Sequence, residues 1–298
     1  MPLRVRIGTR GSLLALAQAR WVADHLQRLS PKTDISMKII DSHPRLAPDN
    51  PLIGDGIFVK EIQKALLNGE VTIGVHSLKD LPTAPVPGLA VGAIPPRADP
   101  RECLVGSTLA SLPAGASIGT SSPRRAAQIR SLRPNLNVVP LSGNIPTRVE
   151  KVARGECDAA MLAAAGLSRL GLRADDLLPL SLVLPAPGQG ALAVEMRHGE
   201  PEVAELLSKI HHSPTATAVT AERAVLSALG GGCLLPVSAL GSVAGARLHL
   251  QARVISQDGT RTVSADKWGD PNEPEALAGE VAEDLILRGA WEILETTA

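Results

Sequence analysis

Four short segments carry residue types whose spacing could do chemistry, and each lies where an apolar run gives way to a helix start or a turn. Gly119-Thr120-Ser121-Ser122-Pro123-Arg124-Arg125 sets three hydroxyls and two guanidiniums around a Ser-Pro helix start. Free backbone N–H groups at such a start, beside two arginines, make an anion site suited to carboxylate or phosphate. Capping alone accounts for Ser122 and Pro123 equally well, with both arginines then solvated. His76-Ser77-Leu78-Lys79-Asp80 follows the apolar alternation Val71, Ile73, Val75. Ligands of open α/β sheets gather at the carboxyl ends of strands, where an acid next to a base could hold a zwitterion or manage a proton. A surface turn with an ordinary Lys–Asp pair fits the same residues, and His76 reads as structural.

Thr9-Arg10-Gly11-Ser12 is again a strand end feeding a helix start, an anion contact through Arg10 or simply a cap beside an exposed arginine. Gly230-Gly231-Gly232-Cys233 puts a thiol on a flexible backbone, where it could serve as nucleophile or attachment point. Cys103 and Cys157 lack such a setting and read as buried and inert. Three isolated cysteines argue against a disulfide framework or a paired-cysteine zinc site. His211-His212 is a weaker candidate. No His, Asp or Glu set has metal-ligand spacing, so no metal is expected, and neither a Gly-x-Gly-x-x-Gly nor a Walker sequence points to a nucleotide.

The elements that must position these residues alternate. Leu3, Val5 and Ile7 form a strand, and Ala15, Ala19, Val22, Leu26 and Leu29 share one face of a helix capped by Ser12. Ile35 to Ile39 reads as a strand, Phe58 to Leu67 as a helix, and Val71 to Val75 as a strand. A second series runs from strand Ala116–Gly119 through a helix at Pro123, strand Asn137–Leu141 and a helix near Arg148–Ala153 to strand Ala159–Ala163. Ser213, as N-cap ahead of Pro214, opens a long helix. Two strand-like stretches, Arg247–Ile255 and Thr260–Lys267, precede one closing helix from about Glu275 to Leu294. The expected architecture is two α/β domains, residues 1–96 with 192–212 and residues 97–191, followed by a smaller α+β domain, residues 213–298.

Composition narrows the function classes. The 298 residues carry 30 basic and 30 acidic side chains, so no net basic field favours nucleic acid. One Phe, three Trp and no Tyr leave little for base stacking. Met1 to Arg6 lacks the apolar stretch of a signal peptide, and no apolar run approaches the roughly 20 residues of a membrane span. A soluble cytoplasmic protein is expected.

In order along the chain, these segments resemble the porphobilinogen deaminase family. Thr-Arg-Gly-Ser, His-Ser-Leu-Lys-Asp-Leu-Pro and Gly-Thr-Ser-Ser-Pro-Arg-Arg match its motifs, as do Gly143-Asn144 with Thr147-Arg148, and Leu167-Ser168-Arg169-Leu170-Gly171-Leu172. Pro187-Gly188-Gln189-Gly190, Thr220-Ala221-Glu222-Arg223 and Gly231-Gly232-Cys233 complete the set. The resemblance implies two domains like those of type II periplasmic binding proteins and a third presenting a cofactor cysteine. It implies a hydroxymethylbilane synthase: a monomeric cytoplasmic transferase that takes porphobilinogen, with neither nucleic acid nor membrane as partner. By position, Cys233 would carry dipyrromethane through a thioether and Asp80 would be the catalytic carboxylate. Lys79, Ser77, Thr120, Ser122, Arg124, Arg125 and Asn144 would hold the cofactor. Arg10, Ser12, Gln18, Phe58, Arg148 and Arg169 would receive substrate.

The chain departs from the family pattern at three places. Ser142 stands where the family has arginine in Leu-Arg-Gly-Asn, and Pro146 replaces a glycine. The stretch from Leu52 to Phe58 is three residues shorter than the family's and lacks two lysines. Ser42-His43-Pro44-Arg45 replaces Thr-x-Gly-Asp. The alternative to an active enzyme is a paralogue that binds a pyrrole or other carboxylated ligand without full turnover.

Overall fold

The computed structural model describes residues 3–40, 57–232 and 235–295, apart from the side chains of Ile57 and Phe58. From the N-terminus, β1 (Arg4–Thr9), α1 (Leu13–Leu29), β2 (Asp34–Ile39), α2 (Ile57–Leu67), β3 (Ile73–Ser77) and β4 (Leu89–Ala93) follow in turn. The middle of the chain supplies β5 (Glu102–Val105), β6 (Ser117–Gly119), α3 (Pro123–Leu132), β7 (Asn137–Val139) and α4 (Ile145–Ala153). It continues through β8 (Ala159–Ala163), α5 (Ala164–Arg169) and β9 (Asp176–Leu177). Then come β10 (Leu192–Arg197), α6 (Pro201–Ser208), α7 (Ser213–Ala228), β11 (Val237–Ala244), β12 (Arg247–Ile255) and β13 (Thr262–Gly269). The helices α8 (Pro274–Leu287) and α9 (Ala290–Glu295) complete the described chain.

The chain divides into two compact units, Met1–Arg97 with Ala191–Ala216 and Ala98–Gly190 with Thr217–Ala298. The first holds a five-stranded sheet in the order β2-β1-β3-β10-β4. Its β1 pairs parallel to β2 and β3, and β10 runs antiparallel to both β3 and β4. The second holds a five-stranded sheet in the order β7-β6-β8-β5-β9, with β6 parallel to β7 and β8, and β5 antiparallel to β8. Both sheets repeat one scheme: a parallel trio with its first strand in the middle, then an antiparallel strand from elsewhere in the chain. That is the type II periplasmic-binding-protein arrangement, and both polar-rich loops of interest leave the carboxyl ends of its parallel strands.

The second unit also contains the antiparallel sheet β11-β12-β13. Alternate residues of β12, Leu248, Leu250, Ala252 and Val254, are fully buried and share a core with Val225 of α7 and Val281 and Leu285 of α8. The period of two in β12 and the helical period in α8 meet at this core, giving the smaller α+β part.

Several elements had no clear signal in the sequence. β10 (LAVEMR) is built from helix-favouring Leu, Ala, Glu and Met, yet is buried along almost its whole length between two strands. Tertiary burial overrides its local preference. β11 was not expected, because its small residues give no β-like run. Its Gly241 explains them: a Cβ there would lie 2.6 Å from the Ala218 carbonyl oxygen of α7. The expected closing helix is two helices, since Gly289 adopts φ 94° and ends α8. Ser213 is not the cap of α7. His212 precedes the helix and accepts the Thr215 N–H on Nδ1 at 3.3 Å, so an imidazole does the work expected of serine.

Candidate active-site residues

In the first unit, two strand ends bring together residues distant in the chain. β1 ends at Thr9, and Ser12 caps α1 by accepting the Ala15 N–H at 3.3 Å. The cap leaves Arg10 half-buried between strand and helix. Burial pushes its guanidinium below the usual arginine range, and the charge of Asp80 opposes that shift. Asp80 itself is exposed at the end of the single 3-10 turn Leu78–Asp80 that follows β3. Ser77, at the head of this turn, makes no capping bond. Its hydroxyl instead accepts Gln18 Nε2–H at 2.8 Å, tying α1 to the end of β3. Beneath lies a buried polar set: His76 Nε2 is 3.0 Å from Glu195 Oε2, and Gln63 of α2 donates to the same carboxylate at 3.1 Å. His76 therefore supports the strand from which Lys79 and Asp80 emerge.

The second unit gathers cations. Ser122 caps α3, with Pro123 in its first turn, and its hydroxyl accepts the Arg125 N–H at 3.4 Å. Thr120 is buried and its hydroxyl accepts the Ser122 N–H at 3.2 Å. Arg124 and Arg125 are buried rather than solvated, and both bind Glu102, which is fully buried on β5. Arg124 Nη2 contacts Glu102 Oε1, while Nη1 donates to the Leu184 carbonyl at 2.8 Å. Arg125 contacts Glu102 Oε2 through Nε at 3.0 Å and Nη2 at 2.8 Å, and donates to the Met161 carbonyl at 3.2 Å. Burial lowers the Arg124 pKa, with Glu102 opposing.

Asn144 caps α4, accepting both the Thr147 N–H at 2.9 Å and its hydroxyl at 2.8 Å. Pro146 fits the first turn of that helix, where a missing N–H costs nothing. Ser142 is exposed just ahead of it. Arg148 donates to the Gly143 carbonyl at 2.8 Å, and its pKa is lowered by burial and then by the charge of Arg125. Arg169 ends α5 and donates to the Gly190 carbonyl at 2.8 Å. Burial pushes its pKa down to about 10, and among the described residues no carboxylate forms an ion pair with it.

Phe58 contributes only its helical backbone position in α2, and Cys233, residues 41–56 and their expected departures lie outside the described residues. The other two cysteines are in the core. Burial, then Glu102, pushes the Cys103 thiol up to about 12, and burial raises Cys157. Sequence reasoning missed Glu102. The signal for it was an acidic residue directly ahead of the apolar run Cys103-Leu104-Val105, in a chain whose Arg124-Arg125 pair must be compensated if buried. It also gave Glu222 no role. That carboxylate is fully buried and accepts the N–H of Gly188 at 2.6 Å and of Gly241 at 2.7 Å, fixing the 187–190 turn against α7 and β11.

Permanent cations held partly out of water, with Arg148 and Arg169 in no ion pair among the described residues, suit a ligand rich in carboxylates. A dipyrromethane bearing acetate and propionate chains has that chemistry, so the donor set fits it. Among the described residues no helix is long and apolar enough to cross a membrane.

Comparison with known proteins gives the same picture over the whole chain. Residues 5–205 match the family model described as porphobilinogen deaminase, dipyromethane cofactor binding domain. Residues 216–286 match that of the porphobilinogen deaminase C-terminal domain. The chain is 47% identical to a porphobilinogen deaminase of Desulforudis audaxviator, over 99% of this chain and 98% of the relative. It is 46% identical to those of Moorella thermoacetica (98% and 96% covered) and Thermus thermophilus (97% and 98% covered).

Proposed function

The chain belongs to the porphobilinogen deaminase family, and we infer that it is a transferase joining four porphobilinogens head to tail, with release of ammonia, on a dipyrromethane primer. The observation that carries the reading is the set of arginines held out of water in the second unit, Arg124 and Arg125 buried and Arg148 and Arg169 half-buried; the first unit supplies the exposed carboxylate Asp80, whose charge acts on Arg10. When bound, the cofactor supplies a pyrrole carbon nucleophile fixed to the protein. We assign its anchor to Cys233, whose glycine-rich setting favours an accessible thiol.

The remaining steps belong to side chains. Arg124, Arg125, Lys79 and the hydroxyls of Ser77, Thr120 and Ser122 hold cofactor carboxylates, with Asn144 ordering the adjacent helix start. Arg10, Arg148 and Arg169, with Ser12, Gln18 and Phe58, receive the acetate and propionate of incoming porphobilinogen. Arginine suits this work because its planar fork matches a carboxylate and stays charged. As the aminomethyl C–N bond of the substrate breaks and ammonia leaves, positive charge builds on the substrate pyrrole nitrogen. Asp80 stands to stabilise that charge and to hold the pyrrole N–H proton.

We propose residues 1–96 with 192–212, 97–191 and 213–298 as three working domains. Their separate sheets and the separate core of the C-terminal sheet support this, although the last two share a compact unit. The enzyme is proposed to be a cytoplasmic monomer whose partner is its small-molecule substrate. Purified protein given porphobilinogen should release ammonia and a linear tetrapyrrole. Binding of porphobilinogen with no ammonia would favour the paralogue that binds without turnover.

A further inference from the structure

The arginines of the second unit are arranged around a residue that neither the motifs nor the reaction accounts for. Glu102 is fully buried on β5, and its two oxygens are divided: Oε1 faces Arg124 and Oε2 faces Arg125. Each guanidinium completes its contacts on a main-chain carbonyl, Leu184 for Arg124 and Met161 for Arg125. The nearby Asp99 is taken up by Arg101, which binds it at 2.6 Å and so adds no net charge. Arg148 feels the charge of Arg125, and among the described residues it is not paired with a carboxylate of its own. Arg124 and Arg125 share the one carboxylate of Glu102, and with Arg148, which is coupled to Arg125, the four side chains carry a net charge of two positive.

We propose that Glu102 is a positioning residue that sets this surplus, holding Arg124 and Arg125 in fixed directions and matching the cluster to the two carboxylates of one pyrrole unit. The proposal rests on the functional reading above for the identity of the anion, but its charge logic does not. Fewer positive charges would hold a pyrrole's acetate and propionate weakly. A larger surplus would bind any multivalent anion more tightly and leave two guanidiniums without the shared acceptor that orients them. A fully buried position on β5 is a costly place for a carboxylate, and the two arginines are what make it tolerable there.

The test uses full-length protein and inorganic phosphate as the anion. In a Cys233→Ala background, which keeps cofactor carboxylates out of the cluster, phosphate binding is measured calorimetrically with Glu102, Glu102→Gln and Glu102→Asp. The extra charge in Glu102→Gln should tighten phosphate binding about fivefold, and Glu102→Asp, which keeps the charge, should stay within about twofold of the parent. With Cys233 intact, both variants should lose kcat more than they raise KM, because direction as well as charge is disturbed. Should Glu102→Gln not fold, Arg148→Gln carries the charge test in its place, with phosphate binding weakened about fivefold. Unchanged phosphate binding in Glu102→Gln, or equal weakening in the Asp and Gln variants, would overturn the proposal. A parent protein that fails to turn over porphobilinogen would count against the functional reading, while the phosphate measurement would still decide the role of Glu102.

Discussion

Gln18 and Ser77 lie 59 residues apart in the chain, yet the amide nitrogen of one stands 2.8 Å from the hydroxyl oxygen of the other. The bond joins the helix after β1 to the turn after β3, and so fixes Arg10 and Asp80 in one neighbourhood. A double-mutant cycle of Gln18→Ala and Ser77→Ala should show a coupling of about 1 kcal/mol in unfolding free energy. Strict additivity would mean that the bond does not hold the two elements together.

Asp80 is exposed and takes no part in the core, so Asp80→Asn should keep the parent's thermal midpoint. Its turnover should fall by about 10²-fold or more, the usual worth of a positioned acid–base group. Near-parental kcat in a folded Asp80→Asn protein would remove this carboxylate from the mechanism.

Much of this was legible in the sequence because it is local. Ser12 and Ser122 announce helix starts by capping, and both do cap. The strand ends carrying Arg10 and Lys79-Asp80 follow from apolar alternation. The partner of Arg124 and Arg125 was not legible, since Glu102 reaches them only through the pairing of β5 with β8. β10 was hidden for a related reason: its side chains favour a helix, and only the two strands flanking it make it a strand. The His212 cap was missed because serine, not histidine, is the expected residue next to proline at a helix start.

Arg169 is a cation held in the fold at a cost. Burial lowers its pKa to about 10, below the unfolded value, so the folded state disfavours its charged form. The unfolded chain binds this proton more tightly. The penalty is therefore fully present at neutral pH and fades as pH rises through about 10. Arg169→Met should raise stability at pH 7 by on the order of 1 kcal/mol while raising KM for porphobilinogen at least about tenfold. A destabilised variant with unchanged KM would contradict both parts.

Glu222 should be costly to remove. Its two oxygens serve buried N–H groups from Gly188 and Gly241, and Glu222→Ala would leave both without their acceptor. Unfolding free energy should drop by about 2–4 kcal/mol, read from a urea midpoint shift at constant slope. A loss under about 0.5 kcal/mol would show that the turn at 187–190 is held by other contacts.

Thiol chemistry should sort the cysteines. With its thiol pushed up to about 12, Cys103 has almost no thiolate at pH 8, and Cys157 is raised in the same direction. Native protein should resist iodoacetamide at both, and only denaturation should expose them. Rapid labelling of Cys103 in folded protein would contradict its place in the core.

The central claim is that this chain builds a tetrapyrrole on a primer anchored at Cys233, and intact mass tests it most directly. Purified protein is weighed before and after porphobilinogen, with Cys233→Ala alongside. The account predicts an adduct equal to two porphobilinogens less two ammonias on the parent and none on the variant, followed by further increments that appear and turn over with substrate. An unmodified parent mass before and after porphobilinogen, or an adduct that survives Cys233→Ala, would contradict it.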